Sequence, residues 1–166
     1  MVLTLSLLST MGAQRRRDPL NPNEADLLRD AAQEPAARLK LYLQFARTRL
    51  ASLEQMRADP KATDRAKQTH DRLQDFLDVY DEMNDNIDTF VERKSDLRKP
   101  LKAIVEADTE FQAKLRALKS SLGSSKEEAS QYDFVLTNVL ETIDSSSQDH
   151  RQLLKEQAEA GGPKKK

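Results

Sequence analysis

Residues 73–97 read LQDFLDVYDEMNDNIDTFVERKSDL. Leu73, Tyr80 and Ile87 lie seven apart, and so do Phe76, Met83, Phe90 and Leu97. Together they alternate steps of three and four, the seam along which one helix packs on others in a bundle or coiled coil. Leu77 and Val91 widen the stripe on one side, as a helix buried in a globular bundle requires. Aromatic and Met side chains at this spacing are core rather than a cofactor box. A seam this long needs partner helices of similar length, and the flanking sequence supplies them.

On the N-terminal side, Asn23 is a candidate N-cap for a short helix over 23–33 carrying Leu27, Leu28, Ala31 and Ala32. Pro35 suits the first position of a helix over 35–58, with Leu39, Leu43, Ala46, Leu50 and Leu53 in its stripe and Tyr42 and Met56 beside it. Asp59 and Pro60 read as the N-cap and first residue of the seam helix, 60–98. Beyond it, Pro100 opens a helix over 100–122 with Leu101, Ile104, Val105, Phe111, Leu115 and Leu118, stopped by Gly123. Ser124 and Glu127 then form a capping box for a helix over 124–160, with Ala129, Tyr132, Leu136, Val139, Ile143, Ser146, His150 and Leu153 on its inner stripe. The pattern predicts an all-α protein: an antiparallel up-down-up-down four-helix bundle with a short extra N-terminal helix. The register also runs through Pro100 without a break (Phe90, Lys94, Leu97, Leu101, Ile104), so the alternative is an elongated bundle whose second and third long helices are continuous through a kink at Pro100.

Composition agrees with this class. The chain has 166 residues, one domain's worth, with 27 Lys and Arg against 28 Asp and Glu, a formal net charge of −1. Such a balance gives no reason to expect a nucleic-acid partner. With no Cys there is no disulfide framework, thiolate chemistry or covalently attached c-type haem. Four glycines argue against a sandwich or dinucleotide-binding sheet. Charge alternates along the chain: +4 over 35–58, −5 over 59–97, +3 over 98–119 and −5 over 124–160. If consecutive helices were neighbours throughout, each would lie between two of opposite sign.

Met1–Ala13, MVLTLSLLSTMGA, is uncharged and Leu-rich and ends in small residues; the composition then changes at Arg15-Arg16-Arg17. It reads as a signal peptide lacking its basic leader, cleaved near Gly12 or Ala13, and far short of the roughly 20 residues of a membrane span. On this reading the protein is periplasmic or secreted; a cytoplasmic protein with an apolar N-terminus is the other account. Residues 14–22 read as an exposed linker and 161–166, GGPKKK, as a basic tail. No integral membrane span is expected.

The chemistry-bearing residues are sparse. The residues three before His70 and His150 are Lys67 and Ser147, which removes the Glu-x-x-His pairs of a di-iron bundle. There is no Gly-rich phosphate loop and no nucleophile elbow. Haem held by His150 would need a Met or His near the start of the first long helix, and residues 23–42 contain neither. His150 is therefore expected to be a partly buried side chain satisfied near Ser146 and Ser147, and no cofactor or metal is expected. Asp108 falls in the seam between Ile104 and Phe111, where an acid needs an interior partner; an ion pair with Arg or Lys is the expectation. Asp71, Asp75, Asp78, Glu82 and Asp85 form a stripe at steps of four and three, joined by Asp81 and Asp88. This stripe is a solvated face or one paired with the basic neighbouring helices, or else a docking surface for a cationic partner or weakly bound divalent cations.

A helix of residues 124–160 would outrun one of 100–122 by roughly 20 Å at 1.5 Å per residue. Ile143, Leu153 and Leu154 lie towards that overshoot and need a cover: a second copy in a homodimer, or, in a monomer, the short N-terminal helix or the end of the second long helix. The functional expectation is a non-enzymatic bundle acting in protein–protein interaction or structure. The alternatives are a periplasmic binding protein for a cation or small apolar ligand, and, behind it, a haem or redox bundle.

Overall fold

A computed structural model describes residues 18–121 and 126–160. Six helices and no strand occur among them: α1 Pro22–Asp30, α2 Pro35–Ala58, α3 Arg65–Glu92, α4 Arg98–Ser120, α5 Lys126–Ser130 and α6 Asp133–Ala160. The protein is an all-α bundle. The apolar run Met1–Ala13, the tail at 161–166 and the proposed Ser124 cap lie outside the described residues.

The seam residues form one core. Leu73, Phe76, Tyr80, Met83, Ile87 and Phe90 of α3 are buried together with Phe111 and Leu115 of α4 and Leu136, Val139 and Ile143 of α6. Phe76 meets Phe111 edge-on at 5.2 Å and Tyr80 at 5.9 Å. Aromatic pairs of this kind add about 0.5–1.5 kcal/mol to what their burial contributes.

Cross-helix hydrogen bonds set directions and neighbours. Arg38–Asn86 and Arg57–Thr69 run α2 against α3, and Gln112–Asp144 and Lys119–Thr137 run α4 against α6. Arg47–Glu110 and Lys114–Glu54 run α2 and α4 in parallel, and Asn84–Ser146 joins α3 to α6. Close backbone packing joins α2 to α3 and α4 to α6, with looser sides between α2 and α4 and between α3 and α6; α3 and α4, though consecutive, do not pack backbone to backbone. They lie across the diagonal and meet through long side chains. The expected arrangement, with every helix between two of opposite sign, is therefore corrected. The basic helices α2 and α4 share one flank and the acidic helices α3 and α6 share the other.

The boundaries also differ from the sequence reading, each for a local reason. Asn21, not Asn23, caps α1: its side chain accepts from the Glu24 N–H at 3.0 Å, and Glu24 accepts in return from the Asn21 N–H. Asp59 ends α2 instead of opening α3, its carboxylate accepting from the Lys61 N–H. α3 and α4 are not one helix kinked at Pro100: α3 ends at Glu92, the turn precedes α4, and Pro100 is the third residue of α4. Lys94 takes the left-handed conformation (φ 58°), Ser95 N–H donates to Phe90 C=O and Lys94 N–H to Val91 C=O. These two bonds close α3 in a Schellman end, with Lys where Gly is usual. Leu97 occupies the cap position of α4 but has no capping side chain. Asp96 serves instead, accepting from the Arg98 N–H and guanidinium, and these bonds hold its carboxyl down at about 2.

Residues 124–160 are not one helix. A turn at Gln131–Tyr132 separates α5 from α6, pinned by the buried Tyr132. Arg57 gathers this end of the bundle, donating to Thr69, Glu128 and Tyr132. Because α6 begins only at Asp133, it is longer than α4 by about 7 Å, not roughly 20 Å. Its far end is tied down by Gln157, which accepts from the Leu97 N–H at 2.7 Å and donates to the Ser95 carbonyl. Ile143 is wholly enclosed within the chain, and Leu153 and Leu154 pack half-buried on its core. The overshoot expected from one continuous helix over 124–160 is thus much reduced. Pro19 and Leu20, assigned to an exposed linker, join the fold as well: Leu20 packs on the core and the Pro19 carbonyl accepts from Arg49.

Candidate functional site

Three helices each bring one polar seam residue to the same level of the core: Tyr80 from α3, Asp108 from α4 and His150 from α6. Each stands in the apolar register of its own helix, so folding the seams together also brings the three together. Tyr80 O–H donates to Asp108 Oδ1 at 2.8 Å, and His150 Nδ1 meets Asp108 Oδ2 at 2.8 Å. Asp108 is fully enclosed and His150 only 4% exposed. Both carboxylate oxygens thus have a partner, as a buried acid demands. The expected Arg or Lys partner for Asp108 is corrected: a phenol and an imidazole take that place. Burial, and then the charge of Asp108, push the Tyr80 phenol far above its ordinary range, which keeps it a donor.

With Asp108 accepting on that side, the imidazole donates through Nδ1. The other ring nitrogen, Nε2, has no protein partner among the described residues. His150 stands at the wall of a pocket of about 350 Å³ between α3 and α6. Ile87, Val91 and Leu153 form its apolar side; Asn84, Asp88 and Asp149 form its polar rim. Asn84 donates to Ser146 Oγ at 3.0 Å. Two atoms nearby, Asn84 Oδ1 and Ser147 Oγ, are enclosed without a hydrogen-bond partner among the described residues. His150 is thus buried on its helix's inner face as expected, but its partner is Asp108, not Ser146 or Ser147.

The residues of the acidic stripe differ in their surroundings. Asp71 pairs with Lys67 at 2.6 Å and touches His70, and Asp78 accepts from Gln74. Asp75 lies within electrostatic reach of Arg49, and Glu82 within reach of the Tyr42 phenol on α2. Asp85 is exposed; Asp81 is half-buried; Asp88 belongs to the pocket rim. Among the described residues no group of three or more His, Asp or Glu could hold a metal ion. No described helix is long and apolar enough to cross a membrane.

The sequence pointed to Asp108, His150 and Asp88 separately, but not to their grouping, and it missed Tyr80, Asn84 and Asp149 as polar partners. One signal was available: two ionisable residues in apolar seams must find partners inside, and a seam Tyr has a hydroxyl to offer. Comparison with family models, curated proteins and solved structures finds no match for this chain.

Proposed function

We propose that the protein is a non-enzymatic interaction bundle whose α3–α6 flank receives a cationic partner. One observation carries this reading: the two acidic helices lie side by side instead of alternating with basic ones. α3 holds eight acids against three bases and α6 six against two, while α2 and α4 together hold eleven bases against four acids. Negative potential is therefore concentrated on one flank, the arrangement that steers and orients a positively charged partner. The pocket beside His150 supports a second reading, a bundle that holds a small ligand. The uncharged, Leu-rich Met1–Ala13 run supports export, and N-terminal sequencing from the native host tests it, an intact Met1 counting against.

Fluorescence anisotropy with labelled octalysine tests the flank. Binding is expected at low salt, fading as salt screens the field. The double variant Asp78→Lys with Asp85→Lys is expected to weaken it, and unchanged binding by that variant would refute the flank reading.

A further inference from the structure

The pocket between α3 and α6 offers its visitor almost nothing but acceptors. Asp88 and Asp149 stand at its rim, and neither has an ion-pair partner among the described residues. His150, nine-tenths buried at its wall, has Nδ1 committed to Asp108 and Nε2 without a protein partner among the described residues. Asn84 has spent an N–H on Ser146, and its amide oxygen, though unpaired, is enclosed and takes no part in what the pocket offers. Two carboxylates and an imidazole nitrogen call for a positively charged ligand with N–H donors. The opposite side, Ile87, Val91 and Leu153, calls for an apolar stem. A bare metal ion does not answer this description, because the acidic and imidazole groups do not converge closely enough to ligate one. The volume, about 350 Å³, is of the size that holds small organic molecules.

We propose that this pocket recognises an organic cation, an ammonium or guanidinium group on a short apolar stem. Asp88 and Asp149 meet its charge, His150 Nε2 accepts one of its N–H groups, and Ile87, Val91 and Leu153 hold the stem. The buried Tyr80–Asp108 pair acts behind the ring: it fixes the imidazole's orientation, so Nε2 is presented to the pocket without a search through rotamers. The inference rests on the reading that the α3–α6 flank takes cations, and gives that flank a defined anchor.

The test is titration of the full ¹⁵N-labelled chain, followed by NMR, with n-butylamine and n-butylguanidine. n-Butanol serves as the uncharged control and tetramethylammonium as a cation without N–H donors. The expected result is saturable one-to-one binding of both N–H cations, with shifts centred on Val91, Asp149, His150 and Leu153, no saturable response to n-butanol and a weaker one to tetramethylammonium. Asp149→Asn, a change at the exposed rim that leaves the core intact, is expected to weaken binding roughly tenfold, the scale of one charge-assisted hydrogen bond. Shifts spread evenly along α3, or binding indifferent to Asp149→Asn, overturn the proposal. A blocked tripeptide with a central Lys or Arg separates the two sources of such a group: tighter binding of the peptide assigns the cation to a partner protein's side chain, tighter binding of the free amine to a small molecule. Octalysine binding that survives Asp149→Asn while the butyl probes fail to saturate overturns the pocket and leaves the flank standing.

Discussion

Asp108 is the costliest residue in this core, and its cost explains its partners. A carboxylate with no exposed surface loses its hydration, and only the Tyr80 hydroxyl and His150 Nδ1 replace it. Removing the acid alone, as in Asp108→Leu, strands both donors and should cost about 3–5 kcal/mol, measured by urea denaturation. The triple variant Tyr80→Phe, Asp108→Leu, His150→Leu removes all three polar groups together and should recover most of that loss. If the triple variant is as unstable as the single one, the three residues do not act as a unit. Phe76 makes the contrasting case. It is enclosed by Tyr80 and Phe111, carries no polar atom, and Phe76→Ala should cost about 3–5 kcal/mol. Phe76 was legible from spacing alone, because burial of an apolar seam residue follows from periodicity. The partners of Asp108 were not, because they come from two other helices and depend on which rows of side chains face each other.

Helix interiors were readable and helix ends were not. Where a bilaterally strong signal existed, such as Pro35 at the start of α2, the boundary fell as expected. The end of α3 carries no such signal, since a Lys stands where a left-handed helix end usually has Gly. A side chain in that conformation costs roughly 1–2 kcal/mol over Gly, part of which Gly gives back in the unfolded chain. Lys94→Gly should therefore raise stability by up to about 1 kcal/mol in the same urea assay; a loss would mean that the Lys94 side chain does more than tolerate its backbone. The short helix α1 depends on a different device. Burial pushes the Glu24 carboxyl up, but hydrogen bonds from Arg49 and the Asn21 N–H, with the charge of Arg49, outweigh it and leave the group below its ordinary value of 4.5. A lowered native value means that Glu24 stabilises the fold above about pH 4.5 and that this contribution fades as pH falls through the native value. Glu24→Gln should cost about 1–3 kcal/mol at neutral pH, and the gap between variant and parent should close on acidification. A gap independent of pH would separate α1 docking from this ion pair.

At the scale of the molecule, the class of fold followed from four long apolar seams, but the order of helices around the core did not. Nothing local to 93–97 says that the chain crosses the bundle's diagonal there; that depends on side-chain volumes across all four helices, among them Phe76 and Phe111, which bridge the wider gap. The apolar seam is covered within one chain, with Ile143 enclosed and Gln157 fastening the end of α6. Sedimentation at micromolar concentration should accordingly report a monomer, and a stable dimer would show that some other surface associates.

The segregation of acidic and basic helices has a consequence that net charge conceals. With a formal charge of only −1 and an isoelectric point near 6.2, the chain would be expected to bind feebly to any ion exchanger close to neutrality. Its two flanks instead give it a large dipole moment across the short axis of the bundle. It should adhere to anion-exchange resin through α3 and α6 and to cation-exchange resin through α2 and α4. On a flat charged support it should lie broadside, always showing the same face to the solution.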